Sequence, residues 1–142
     1  MTLQTGPAWL FCPADRPERF QKAVAAADVV ILDLEDGVAA TDRDMARKAL
    51  VDNPLDPATT VVRVNAAGTK DHVADLDVLA ETAYTTVMLP KTESAPQVRA
   101  LLPREVIVLV EDVDVGARDR GQHAHHARSA ERPRSSPENQ SA

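Results

Sequence analysis

At 142 residues, with 44% hydrophobic and 27% charged residues, the chain has the length of one ordinary globular domain. Its formal net charge of -6 opposes nonspecific attachment to nucleic acid or to an anionic membrane, because phosphates repel such a surface. No apolar run approaches the roughly 18–20 residues that cross a bilayer, and MTLQTGPAWLFCPADR at the start has no positive segment ahead of an apolar one, so the cytoplasm is the expected compartment.

In chain order, AWLFC at 8–12 is a short apolar run ended by Pro13 and predicts a buried strand. Cys12 closes that run and is the only cysteine, which excludes an intrachain disulfide and predicts a buried, inert thiol. Asp15 suits a helix N-cap and Pro17 a first turn, while Phe20, Ala23, Val24 and Ala27 recur at helical spacing. VVILDLED at 29–36 predicts a second buried strand running into carboxylates. A helix over 41–51 is expected to turn Met45 and Leu50 inward, and Asn53, Pro54, Asp56 and Pro57 punctuate the chain before TVVRVN at 60–65. A helix over 70–82 offers Val73, Leu76 and Leu79 to a core and leads into TTVMLPK at 85–91; a last helix over 94–102 precedes EVIVLVED at 105–112.

Five strands separated by four helices predict an α/β fold with a parallel sheet and right-handed crossovers, compatible with a barrel or an open sheet. The remainder is different in kind. Residues 1–112 hold 18 Asp and Glu against 11 Lys and Arg, together with all four aromatic residues; residues 113–142 hold 4 against 5, and Val113 and Val115 are their only branched aliphatics. The expected division is therefore a folded domain over 1–112 and a disordered tail over 113–142. His123, His125 and His126 fall in that tail, where no rigid framework fixes a metal geometry.

Polar groups gather at the strand ends: Asp33, Glu35 and Asp36 on the second, Arg63 and Asn65 on the third, Lys91 after the fourth, Glu111 and Asp112 on the fifth. Parallel α/β folds carry their active sites at this rim. Glu35 and Asp36 either organise a hard divalent ion, with Glu111 reaching the same ion, or are solvent-facing charges beside a turn at Gly37. Arg63, flanked by valines, needs an anion: a substrate carboxylate, or an internal partner among Glu35, Asp36 and Glu111. Lys91 is placed to neutralise substrate charge, and His72 reads as a solvated residue at a helix start. No GxGxxG or P-loop signature is present.

WLFCPADRPERFQKA, VVILDLEDGV, VVRVN, VMLPK and VIVLVED, in this order over about residues 6–112, closely resemble the HpcH/HpaI aldolase and citrate lyase superfamily, in its citrate lyase beta-subunit-like branch. The resemblance implies part of a (β/α)8 TIM-type barrel, a homotrimer as in many members, and magnesium-dependent carbon–carbon lyase chemistry on an acyl-CoA such as citryl-, malyl- or citramalyl-CoA. It implies that Arg63 clamps a keto-acid carboxylate, that Glu111 ligates the metal, and that Glu35 and Asp36 organise its water shell. Arg19 and Lys22 fall in the part of the pattern that faces coenzyme A phosphates. Family members continue past the Glu111 strand into another carboxylate-bearing strand, whereas this chain turns into the Arg/His/Ser/Pro segment. The expectation is thus a truncated lyase-like barrel with an unrelated or altered-frame tail, and the alternative to an active lyase is a noncatalytic small-acid binding or interaction module.

Overall fold

A computed structural model describes residue 3 and residues 6–110; the expected tail over 113–142, its histidines, and Glu111 and Asp112 lie outside the described residues. The elements alternate: β1 (Trp9–Pro13), α1 (Phe20–Ala26), β2 (Val29–Asp33), α2 (Arg43–Asp52), β3 (Thr60–Arg63), α3 (Lys70–Leu79), β4 (Thr86–Leu89), α4 (Ala95–Arg99) and β5 (Glu105–Val108). All four strand pairings are parallel, and the sheet order is β1-β2-β3-β4-β5. A parallel sheet laid down in chain order, with a helix after each of its first four strands, is the expected α/β fold and corresponds to part of a (β/α)8 barrel. Among the described residues no helix is long and apolar enough to cross a membrane.

Register divides the side chains into two faces. Cys12, Val30, Leu32, Val62, Val87 and Leu89 pack beneath Phe20, Ala23, Ala46, Leu50, Leu79 and Leu101 from the helical side. On the opposite face Val29, Ile31, Val61 and Met88 form a second cluster, joined by the half-buried Leu3, Ile107 and Leu109. β2 is buried over its whole length, as its unbroken VVILD run requires of a strand covered on both faces. Each fully buried Val or Leu stabilises the fold by about 1.5–3 kcal/mol.

Local chemistry sets the element ends. Thr69 caps α3 by accepting from the His72 amide at 3.1 Å. Asp56 accepts from Ala58 and opens a 3-10 turn at Pro57–Thr59, ahead of β3. The Asn53 side chain donates to the Ala49 carbonyl and closes α2. Asp15 does not cap the first helical turn: Arg16 occupies the cap position of Pro17–Arg19, and no side chain there makes a capping bond.

Two apolar residues expected inward point out. Met45 is 56% exposed whereas Leu50 is 1% exposed, and Val73 also faces solvent. The reason is polar. In α2 and α3 the inward positions include Arg47, His72 and Asp75; Arg47 bonds Asp75 across the two helices and His72 bonds the Asn65 carbonyl, so polar groups take part of the face that hydrophobic spacing alone assigns to apolar residues.

Candidate functional site

Asp33 and Arg63 are the last residues of β2 and β3 and stand directly opposite in register, so their side chains leave the same face. Arg63 donates from Nε and Nη2 to Asp33 Oδ1 and Oδ2 at 2.9 and 2.6 Å, a bidentate pair. The same carboxylate accepts the Glu35 amide at 2.9 Å and the Gly37 amide at 2.8 Å, which turns the chain sharply after β2. The Arg63 guanidinium lies 4.7 Å above the centroid of the Phe11 ring on β1. The hydrogen bonds to Asp33, and then the negative charges of Asp33, Glu35 and Asp36, hold its pKa above the ordinary arginine value against the cost of burial. The internal partner of Arg63 is therefore chiefly Asp33, not one of the three carboxylates that the spacing offered.

Glu35 and Asp36 follow β2 in the turn that Asp33 anchors, and that turn separates them: Glu35 is buried and Asp36 exposed. Neither Glu35 oxygen accepts a close hydrogen bond. Arg63 Nη1 stands 3.9 Å from Oε1, and Lys91 Nζ 3.5 Å from Oε2. Burial, and next the Asp36 charge, push the Glu35 carboxyl above its ordinary pKa, with Lys91 and Arg63 opposing them. Lys91 reaches Glu35 from a left-handed backbone, φ 49°, which costs a non-glycine residue about 1–2 kcal/mol. Glu35, Arg63 and Lys91 thus meet at one rim, with Asp36 beside them in solvent.

Behind this rim lies a second network. Asp75, 0% exposed, accepts from Arg47 Nε at 2.8 Å, from the Asn65 amide at 2.7 Å and from Asn65 Nδ2 at 2.8 Å. Asn65 Nδ2 also donates to the Leu34 carbonyl, tying the end of β3 to the end of β2. His72 is 7% exposed, contrary to the expectation of a solvated residue, and its Nδ1 donates to the Asn65 carbonyl at 2.7 Å. Burial opposes the charge on Arg47, but the bonds it donates to Asp71, Asp75 and Asp44 outweigh that and raise its pKa. Hydrophobic periodicity gave no sign of this network; the signal available was three polar residues, Arg47, His72 and Asp75, inside otherwise helical segments.

Arg19 and Lys22 sit apart from both clusters. They line a depression of about 360 Å³ along β1 and α1, with Leu10, Phe11, Cys12 and Pro13. Cys12 is buried, as expected, and burial raises its thiol pKa, with a smaller opposing effect from Arg19. Glu111 lies outside the described residues. Among the described residues no group of three or more His, Cys, Asp and Glu side chains is arranged to hold a metal ion. Glu35, whose buried oxygens accept no close hydrogen bond, faces two cations, so the described rim by itself does not fit a magnesium cage.

A citrate lyase subunit beta-like protein of Mycobacterium tuberculosis is 72% identical over 106 residues, covering 75% of this chain and 39% of that protein. An L-malyl-CoA/beta-methylmalyl-CoA lyase of Cereibacter sphaeroides is 40% identical over 100 residues, covering 65% of this chain and 31% of the lyase. Among solved structures, protein CitE of M. tuberculosis in complex with magnesium and pyruvate superposes with a TM-score of 0.75 at 70% identity, over 76% of this chain and 45% of that one. The chain thus spans less than half the length of these relatives. The model of the HpcH/HpaI aldolase/citrate lyase family matches residues 8–119, and with the parallel sheet and its charged rim this makes the chain a member of that family.

Proposed function

We propose that the rim around Arg63 binds the carboxylate of a small keto-acid, as part of a magnesium-dependent carbon–carbon lyase acting on an acyl-CoA. The observation that carries this reading is the division of the guanidinium: Asp33 engages Nε and Nη2, while Nη1 donates no hydrogen bond among the described residues and stands beside Glu35. A fixed cation with one nitrogen uncommitted is suited to neutralise the carboxylate of a bound keto-acid, a charge present before and after the carbon–carbon bond breaks. Magnesium and pyruvate in the M. tuberculosis CitE complex support the ligand class, and a further complex of CitE with magnesium, acetoacetate and coenzyme A supports the thioester half.

In this reading Glu35 and Asp36 order the polar groups of the rim, Lys91 balances substrate charge, Glu111 ligates the metal, and Arg19 and Lys22 face coenzyme A phosphates. Bound magnesium would polarise the keto oxygen; the described residues do not build its cage. Residues 1–112 act as the lyase-like domain and 113–142 as a separate tail. The chain works as a cytoplasmic homotrimer without nucleic acid or membrane partners, in keeping with its net charge of -6.

The test is magnesium-dependent cleavage of citramalyl-, malyl- and citryl-CoA by the purified chain, following the thioester and keto-acid products together and the oligomer mass in parallel. Turnover that disappears in Arg63→Ala and Glu111→Gln, with the fold retained, supports these roles; turnover that is unchanged refutes them. A second reading, a noncatalytic module that binds a small acid at Arg63, is favoured by the lack of a metal-holding group among the described residues. It requires pyruvate binding without turnover.

A further inference from the structure

We infer that Asp33 is the positioning residue of this rim: it locks Arg63 in the orientation that leaves Nη1 free, and Gly37 exists at its position to let the Asp33 carboxylate come close. Asp33 is almost wholly buried and gathers four donors on two oxygens, Arg63 Nε and the Glu35 amide on Oδ1, Arg63 Nη2 and the Gly37 amide on Oδ2. One carboxylate therefore fixes both the arginine and the turn that carries Glu35. Without it, the nearest anion for the guanidinium is Glu35, now 3.9 Å from Nη1, and the arginine would swing to commit the nitrogen that is presently uncommitted.

Gly37 supplies an independent observation. A Cβ at this position would lie 2.5 Å from Asp33 Oδ2, closer than nonbonded atoms approach, and 3.2 Å from its Cγ, with Asp33 atoms the nearest obstacles. Gly37 has no left-handed backbone to explain it; Gly68 is the positive-φ glycine among the described residues. The glycine is required by proximity to the carboxylate and not by backbone conformation. Gly37→Ala consequently displaces Asp33 while leaving every charged side chain of the rim in the sequence.

The binding arm of the test rests on the keto-acid reading above; the structural arm does not. In the full chain labelled with 15N-arginine, the Arg63 Nε–Hε resonance, assigned by its loss in Arg63→Lys, should be sharp and exchange-protected. That of Arg47, held by Asp75, serves as an internal marker of the folded state. In Asp33→Asn and Gly37→Ala the Arg63 resonance should shift and lose protection, that of Arg47 should stay, and pyruvate affinity should fall at least tenfold. Should Asp33→Asn also lose the Arg47 signal, it has unfolded, and Gly37→Ala decides alone. An unmoved Arg63 resonance in Gly37→Ala overturns the inference, as does a moved resonance with unchanged pyruvate affinity. If the unsubstituted chain binds no pyruvate, the keto-acid reading fails, and the locking of Arg63 is decided by its resonance.

Discussion

Removing Asp75 should destabilise the chain by about 4 kcal/mol, because it takes from Arg47 its fully buried partner and leaves it only the more exposed Asp71 and Asp44, a change within the about 3–5 kcal/mol that breaking a buried ion pair costs. The Asn65 amide loses its acceptor in the same substitution, worth about 1–3 kcal/mol by itself, but the two losses share one network and do not add. Arg47→Met should cost somewhat less, about 3 kcal/mol, since Asp75 then keeps two donors from Asn65. In the double variant Arg47→Met/Asp75→Leu neither charge is stranded, and the loss should fall short of the sum of the single losses by at least about 2 kcal/mol. The assay is urea unfolding followed by far-UV circular dichroism at pH 7. Asp44→Ala is the control: its carboxylate also meets Arg47, at 2.7 Å, but is 99% exposed, and its removal should leave the midpoint unchanged. A coupling below about 0.5 kcal/mol would refute the claim that the pair, and not simple packing, holds α2 against α3.

The other predictions are shorter. Glu35 has a native pKa above its unfolded value, so its contribution to stability is full below the unfolded carboxylate range and is lost as pH rises through the native value. Glu35→Gln should therefore gain on the unsubstituted chain as thermal unfolding is measured from pH 4 to pH 8; a constant difference would show that Arg63 and Lys91 fully compensate the burial. Leu50→Ala should cost about 2–5 kcal/mol and Met45→Ala less than about 0.5 kcal/mol in urea unfolding, and equal losses would contradict the observed helix face. The Tyr84 hydroxyl accepts the Leu55 amide at 2.9 Å, so Tyr84→Phe should cost about 1 kcal/mol and speed hydrogen exchange at Leu55. Unaltered exchange there would remove that bond from the account.

Much of this was legible in the residues. Apolar runs ending in carboxylates, arginine and asparagine define strands whose carboxyl ends share a rim, but which of Glu35 and Asp36 is buried depends on the turn after β2, which the residues leave open. The Asp33–Arg63 pair was not legible, because it depends on register: Asp33 sits inside an apolar run, and only the alignment of β2 against β3 sets it opposite Arg63. The helix faces misled for a related reason. Spacing of apolar residues assigns Met45 and Val73 to the core, but it is blind to inward positions taken by charged groups that satisfy each other across helices. Where Arg47 and Asp75 bond, the charge network takes part of the face that the aliphatic stripe alone would fill.

The order of the sheet has a consequence for how the molecule is made. Each strand pairs with its successor in the chain, Trp9 with Val29, Val30 with Thr60, Val62 with Val87 and Thr86 with Glu105, so pairing positions are only 19 to 30 residues apart. A nascent chain emerging from the ribosome can add one strand and its covering helix at a time, with no partner still awaiting synthesis. At every stage the most recent strand is the sticky end, its backbone donors and acceptors open to whatever strand arrives first. Assembly is thus safe in its interior and vulnerable at two margins, the growing strand and β1, which among the described residues is paired on one side only.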